Sequence, residues 1–189
     1  MSRTRVLMYS IIGLFILATI GAAIGFALAQ GKSAAQKNIY QNLTDEQLLQ
    51  EALNFSSFQI IMGELAVKQA AGRDFKSYGK DMAAAHGQIF RDLEKITADK
   101  KISLTSNIDP VRQNTVKYYS QEYGAAFDRN YISLMVDENR RDAELFRHMA
   151  KNAKDKDIRE FAGRIAPNLE GYAKRAEKIL ADLPFPFLK

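Results

Sequence analysis

The chain contains no cysteine and no tryptophan, and it has only four prolines and two histidines in 189 residues. Without cysteine there is no disulfide, no thiol nucleophile and no thiolate metal site. Neither sign of charge dominates: 27 Lys and Arg stand against 22 Asp and Glu. The charges are interspersed and form no basic stripe of the kind that nucleic-acid binding requires, so no nucleic-acid partner is expected. Internal repeats, Gly-rich phosphate loops, nucleophile elbows and Cys–His pairs are also missing. No catalytic residue is assigned, and the chain is not expected to be an enzyme. What is present in ordinary amount is apolar residue content, 47%, enough for one domain with its own core.

One long uncharged run stands out. Residues 6–29 read VLMYSIIGLFILATIGAAIGFALA. As a helix they would span about 36 Å, against a hydrocarbon core of about 30 Å. Arg3 and Arg5 precede the run, and no acid occurs before Asp45. The positive-inside rule therefore predicts a single-pass anchor in a bacterial inner membrane, with the N-terminus cytoplasmic and the following domain periplasmic. The competing reading is a signal peptide cleaved after Ala27-Leu28-Ala29, although the run is longer than a usual signal-peptide core. Ala18, Gly21, Ala22, Gly25 and Ala29 fall in small-xxx-small spacing, a face on which another membrane helix can pack closely. The expected organisation is an anchor over residues 1–30, a tether over 31–43, a bundle over 44–182 and an apolar tail over 183–189.

From residue 44 onward apolar residues recur every three or four positions, and no segment alternates with period two. Thr44 and Gln47 are spaced as a capping box. The pattern predicts helices from about Asp45 to Ala71, Arg73 to Lys100, Ala125 to Asn152 and Asp157 to Ala181. A loop over 101–110 ends in a short helical turn opened by Asp109-Pro110. Pro167 should kink the last helix. Two long helical hairpins joined by a longer connection describe an all-α four-helix bundle.

Bundles build their sites from inward-facing side chains, so polar residues on apolar faces are the candidates. Gln59, His86, Asn139 and Tyr172 occur one per helix, each flanked by apolar residues at helical spacing. A di-iron site would need Glu from two helices and Glu-x-x-His from two more; Ala83 and Leu145 stand where those glutamates would precede His86 and His148. The favoured reading is a hydrogen-bonded polar cluster that fixes helix register, with no metal and no cofactor. Asp142, one turn from Asn139, is the only carboxylate near that face. His148, beside Glu144 and Lys151, reads as part of a solvated face.

The segments TDEQLLQEALNFSSFQIIMGELAVKQA, FKSYGKDMAAAHGQI, GAAFDRNYISLMVDENRRDAELF and IAPNLEGYAKRA together resemble a large bacterial family. Its members are ferritin-like four-helix proteins built on a domain of unknown function, secreted or membrane-anchored. The resemblance spans about Thr44 to Leu180. It implies a ferritin-like bundle in which the family pattern has Glu in the first helix, Asp-His in the second, and an inner-face His in the third and fourth. Here the matching places hold Gln59, Ala85-His86, Asn139 and Tyr172. The resemblance therefore carries over the fold, while most of the implied metal ligands are replaced.

The tail holds Pro184, Phe185, Pro186 and Phe187, a stretch that is apolar, cannot be helical across its prolines, and is a candidate docking element. Together these features predict a non-catalytic, membrane-anchored accessory subunit. Its expected partners are the lipid bilayer and other membrane-protein subunits of a larger, respiratory or otherwise energy-converting complex. The alternative is a periplasmic ferritin-like metal-binding or stress-response protein that uses His86.

Overall fold

A computed structural model describes residues 39–183. The expected membrane segment with its Ala18, Gly21, Ala22, Gly25 and Ala29 face, and the tail residues Pro184 to Phe187, lie outside the described residues. Among those described, no helix is long and apolar enough to cross a membrane. The chain divides after Asn42, and residues 43–189 form one unit.

Among the described residues that unit contains five helices: α1 (Asp45–Gln69), α2 (Arg73–Asp99), α3 (Pro110–Tyr119), α4 (Gly124–Asn152) and α5 (Lys156–Ala181). Each start has a local chemical cause. Thr44 Oγ1 accepts from the Gln47 amide while Gln47 Oε1 accepts from the Thr44 amide, the capping box that the spacing predicts. Asp109 Oδ1 accepts from the amides of Val111 and Arg112. Asp155 Oδ1 does the same for Asp157 and Ile158 at the start of α5. α2 ends in a Schellman arrangement: the Ile102 amide bonds to the Thr97 carbonyl and the Lys101 amide to that of Ala98, with Lys101 at φ 56°.

One expectation needs correction. The helical turn after Asp109 is a ten-residue helix, α3. It has no fully buried residue and meets the core only through the partly buried Val116 and Tyr119, too short an apolar stripe to reveal a helix of this length. α5 runs unbroken through Pro167. The proline removes one amide, which leaves the Gly163 carbonyl without its usual donor.

α1 pairs with α2 and α4 with α5 as antiparallel hairpins; the hairpins meet through α1 on α4 and α2 on α5. A carboxylate from each hairpin closes the turn of the other. Asp128, in the first turns of α4, accepts from the amides of Ala71 and Gly72 between α1 and α2. Asp45, at the start of α1, accepts from Lys154 and Asp155 between α4 and α5. α1 and α4 therefore run antiparallel. The end of α2 lies near the start of α5, where Lys100 bridges Asp155 and Asp157. The connection from α2 to α4 must cross the length of the bundle. It does so along α1, touching Gln50 through Thr105 and Gln69 through Ser120.

The core has an aromatic half, where Phe127 stacks on Tyr131 at 5.3 Å and Tyr78 meets Tyr131 edge-on. Toward the other end Phe146 packs against Phe161. Polar residues occupy the stretch between them.

Candidate functional site

α2 carries His86 inward on the same stripe as Tyr78, Met82, Ile89 and Leu93, all buried. α4 carries Asn139 and Asp142 inward beside Met135, Ala143 and Phe146. These two helices lie on a diagonal of the bundle, so their side chains meet in its centre. His86 Nε2 is 3.3 Å from Asp142 Oδ2, and both side chains have 0% exposure. The approach is close but lies off hydrogen-bond directions, so neither ring nitrogen and neither carboxylate oxygen has a well-directed partner. Burial depresses the His86 pKa to about 3. Burial also pushes the Asp142 carboxyl well above the usual carboxylate range, and the nearby Glu138 adds to that. Both shifts favour the uncharged forms, a carboxylic acid beside a neutral imidazole.

A hydrogen-bonded string adjoins the pair. Asn139 Nδ2 donates to Tyr78 Oη at 3.0 Å and to the Met135 carbonyl at 2.7 Å. The Tyr78 hydroxyl donates to the Tyr172 carbonyl at 3.3 Å. Burial raises the pKa of Tyr78 and of Tyr131, so both stay phenols.

Of the four interior residues singled out, Gln59, His86 and Asn139 are fully buried. Neither amide atom of Gln59 has a hydrogen-bond partner, and Asn139 Oδ1 also lacks one. Tyr172 is half-buried; it joins the string through its backbone carbonyl, and its ring lines a surface groove. His148 is half-buried on α4, 3.2 Å from the Asn152 amide nitrogen. Sequence reasoning did not single out Tyr78, Tyr131 or Glu138. The signal for Tyr78 was its place four and eight residues before Met82 and His86.

The groove lies between α2 and α5, a cavity of about 490 Å³. Its floor includes Ala85, Ile89 and Leu169, and its rim includes Tyr172, Asn168 and Arg175. The Arg175 guanidinium is fixed 5.3 Å over the Tyr78 ring and is paired with Asp81 at 2.6 Å.

The metal implied by the family resemblance fits the four interior positions poorly. Two amides and one phenol are weak ligands beside a single imidazole. Among the described residues, no three His, Asp or Glu side chains stand close enough to hold an ion.

Residues 28–179 match the family model of a domain of unknown function, DUF4142. The match covers most of the chain, which therefore belongs to that family. Two solved structures are similar in fold. One is a DUF305 fragment from Deinococcus radiodurans, at TM-score 0.65 and 16% identity, covering 73% of this chain and 95% of that one. The other is a conserved hypothetical protein from Mycobacterium tuberculosis, at TM-score 0.58 and 16% identity, covering 82% of this chain and 98% of that one. At this identity the likeness shows the fold alone. No curated protein matches the chain.

Proposed function

Starting from membership of the DUF4142 family, we propose that this protein is a non-catalytic, membrane-anchored accessory subunit. Residues 6–29 hold it in a bacterial inner membrane, and its bundle stands in the periplasm and docks on another subunit of a larger membrane complex. The single long α2-to-α4 crossover is the connection of ferritin-like bundles, which agrees with the resemblance in sequence. The observation that supports the reading most is where polarity and access lie. Gln59, His86, Asn139 and Asp142 are sealed at 0% exposure, out of reach of a substrate, while the α2–α5 groove opens to the surface with an apolar floor.

The test is purification of the full-length chain from its own membranes in mild detergent, followed by native electrophoresis. Co-migration with a larger complex is expected. Gly171→Leu should abolish it, because a side chain at Gly171 meets no neighbouring atom within 4 Å and would project over the groove it lines. A chain that runs alone at every stage, or co-migration that Gly171→Leu leaves intact, would overturn this assignment of the docking face.

A further inference from the structure

The path of α5 continues past Ala181. The Asp182 and Leu183 amides still bond to the Lys178 and Leu180 carbonyls, and Leu183 packs with Ile179 and Leu180 against the aromatic half of the core. Beyond it, outside the described residues, the sequence reads Pro184-Phe185-Pro186-Phe187-Leu188-Lys189, with no charge before Lys189. The two prolines remove amide donors and fix φ, so this segment extends neither a helix nor a sheet interior and favours polyproline geometry.

One stripe of α5 leads from Leu183 to the α2–α5 groove. Ile179 and Tyr172 stand two turns apart on one face, both only partly buried, and Tyr172 and Arg175 line the groove. Along the helix Leu183 is about 16 Å from Tyr172, and Ile179 is about 10 Å from it. In polyproline geometry Leu188 is about 15 Å from Leu183. Phe185 and Leu188, one turn of that geometry apart, share a face at a separation of about 9 Å. Laid back antiparallel to α5, the segment brings Phe185 to Ile179 and Leu188 to Tyr172. Its length, its spacing and its lack of charge thus match the apolar path that leads into the groove. Proline-rich segments dock in aromatic-lined grooves, and Tyr172 and Pro167 line this one.

We propose that residues 184–188 of the same chain occupy the mouth of the α2–α5 groove, folded back over α5 with Phe185 at Ile179 and Leu188 at Tyr172. A subunit that docks in the groove must then displace them, a consequence that rests on the docking role proposed above. The seat of the tail does not rest on that role.

The chain has no cysteine, so an introduced pair reports on itself alone. The back-folded path sets Lys189 level with Gly171, where an added side chain meets nothing within 4 Å. The test is oxidation of the full-length Gly171→Cys, Lys189→Cys variant in mild detergent. The comparison is Glu177→Cys, Lys189→Cys: Glu177 is nearer to Leu183 along α5 but faces α4, where Arg140 bonds it at 2.9 Å. The Gly171→Cys pair should close within one chain at least tenfold faster than the Glu177→Cys pair. Phe185→Ser with Leu188→Ser should bring that rate down to the comparison's. Equal rates in the two pairs, a rate indifferent to Phe185→Ser with Leu188→Ser, or a disulfide joining two chains would overturn the seat. Closed by oxidation, the Gly171→Cys pair should also lose co-migration with the larger complex and regain it on reduction; co-migration kept in the oxidised form would overturn displacement. Trapping is read in the isolated chain, so a chain that runs alone on native electrophoresis leaves the trap standing, and a failed trap leaves the effect of Gly171→Leu standing.

Discussion

α2 packs on two neighbours, and small residues set both contacts to opposite effect. Against α1 the helix backbones nearly touch. A Cβ on Gly63 would lie 2.4 Å from the Gly79 carbonyl oxygen, and one on Gly79 would lie 2.5 Å from the Ala66 Cβ. Against α5 the small residues Ala85 and Gly171 line an open groove, and a Cβ on Gly171 meets nothing within 4 Å. Glycine thus brings one pair of helices together and leaves the other pair's surface vacant. What decides is whether the facing residue is also small and the backbone follows it inward. Across α1–α2 the partners are Gly63, Ala66, Gly79 and Ala83. Across α2–α5 they include Ile89, Leu169 and Tyr172, which hold the helices apart.

The comparison can be broken most sharply at its tight side. Gly63→Ala or Gly79→Ala places a methyl against backbone that has nowhere to go. Each should destabilise the bundle by about 3 kcal/mol, at the upper end for an overpacked core. Urea unfolding of the two variants checks this, and a loss under about 1 kcal/mol would mean that the seam is looser than its geometry.

A smaller effect concerns what lies between the seams. His86 is held near pKa 3, below its ordinary 6.5, so its contribution to stability is lost as pH falls from about 6.5. Asp142 is raised above its ordinary 3.8, so its contribution is lost as pH rises above about 4. Between these values the folded pair and the unfolded chain each hold one proton, and the two slopes cancel. Melting temperature should therefore form a plateau from about pH 4 to 6.5 and fall on both sides. The charges of Glu138, Arg112 and Glu51 also act on Asp142. Glu138, itself raised by burial, loses its contribution as pH rises above its ordinary 4.5 and so tilts the plateau downward toward higher pH. Asp142→Asn should flatten the alkaline side and, by removing the cancellation, let the acid fall begin near pH 6.5 instead of near 4. A curve unchanged by that substitution would show that the pair is not its source.

The smallest change sharpens the open side. Gly171→Ala adds a methyl into free space on a helix and should stabilise by roughly 0.8 kcal/mol, through helix propensity alone. Opposite signs for Gly63→Ala and Gly171→Ala in one thermal-melt series would establish the contrast between the seams.

Much of this was legible beforehand. The capping box at Thr44 and the apolar stripes of the four long helices rest on contacts within a few residues. The same stripes placed Gln59, His86 and Asn139 inward. The length of α3 was not legible, because its core-facing residues Val116 and Tyr119 are only partly buried and give too short an apolar stripe. Tyr172 was placed on the inner face by the same rule, but the spread α2–α5 seam leaves its ring at the groove's rim. Asp142 was visible only as a neighbour of Asn139. Its contact with His86 spans the bundle's diagonal, and no spacing along the chain specifies a diagonal.

Composition and periodicity by themselves determined an all-helical domain, its helix starts, its lack of thiol chemistry and the polar residues it would bury. Those properties follow from each residue's own chemistry and its neighbours within two turns. Only the tertiary structure decided which carboxylate met His86, that Arg112 would be driven in beside Glu51, and that Asp45 and Asp128 would each cap the other hairpin's turn. Those pairings join residues far apart in sequence, and they exist only once the crossover has fixed which helix ends lie side by side.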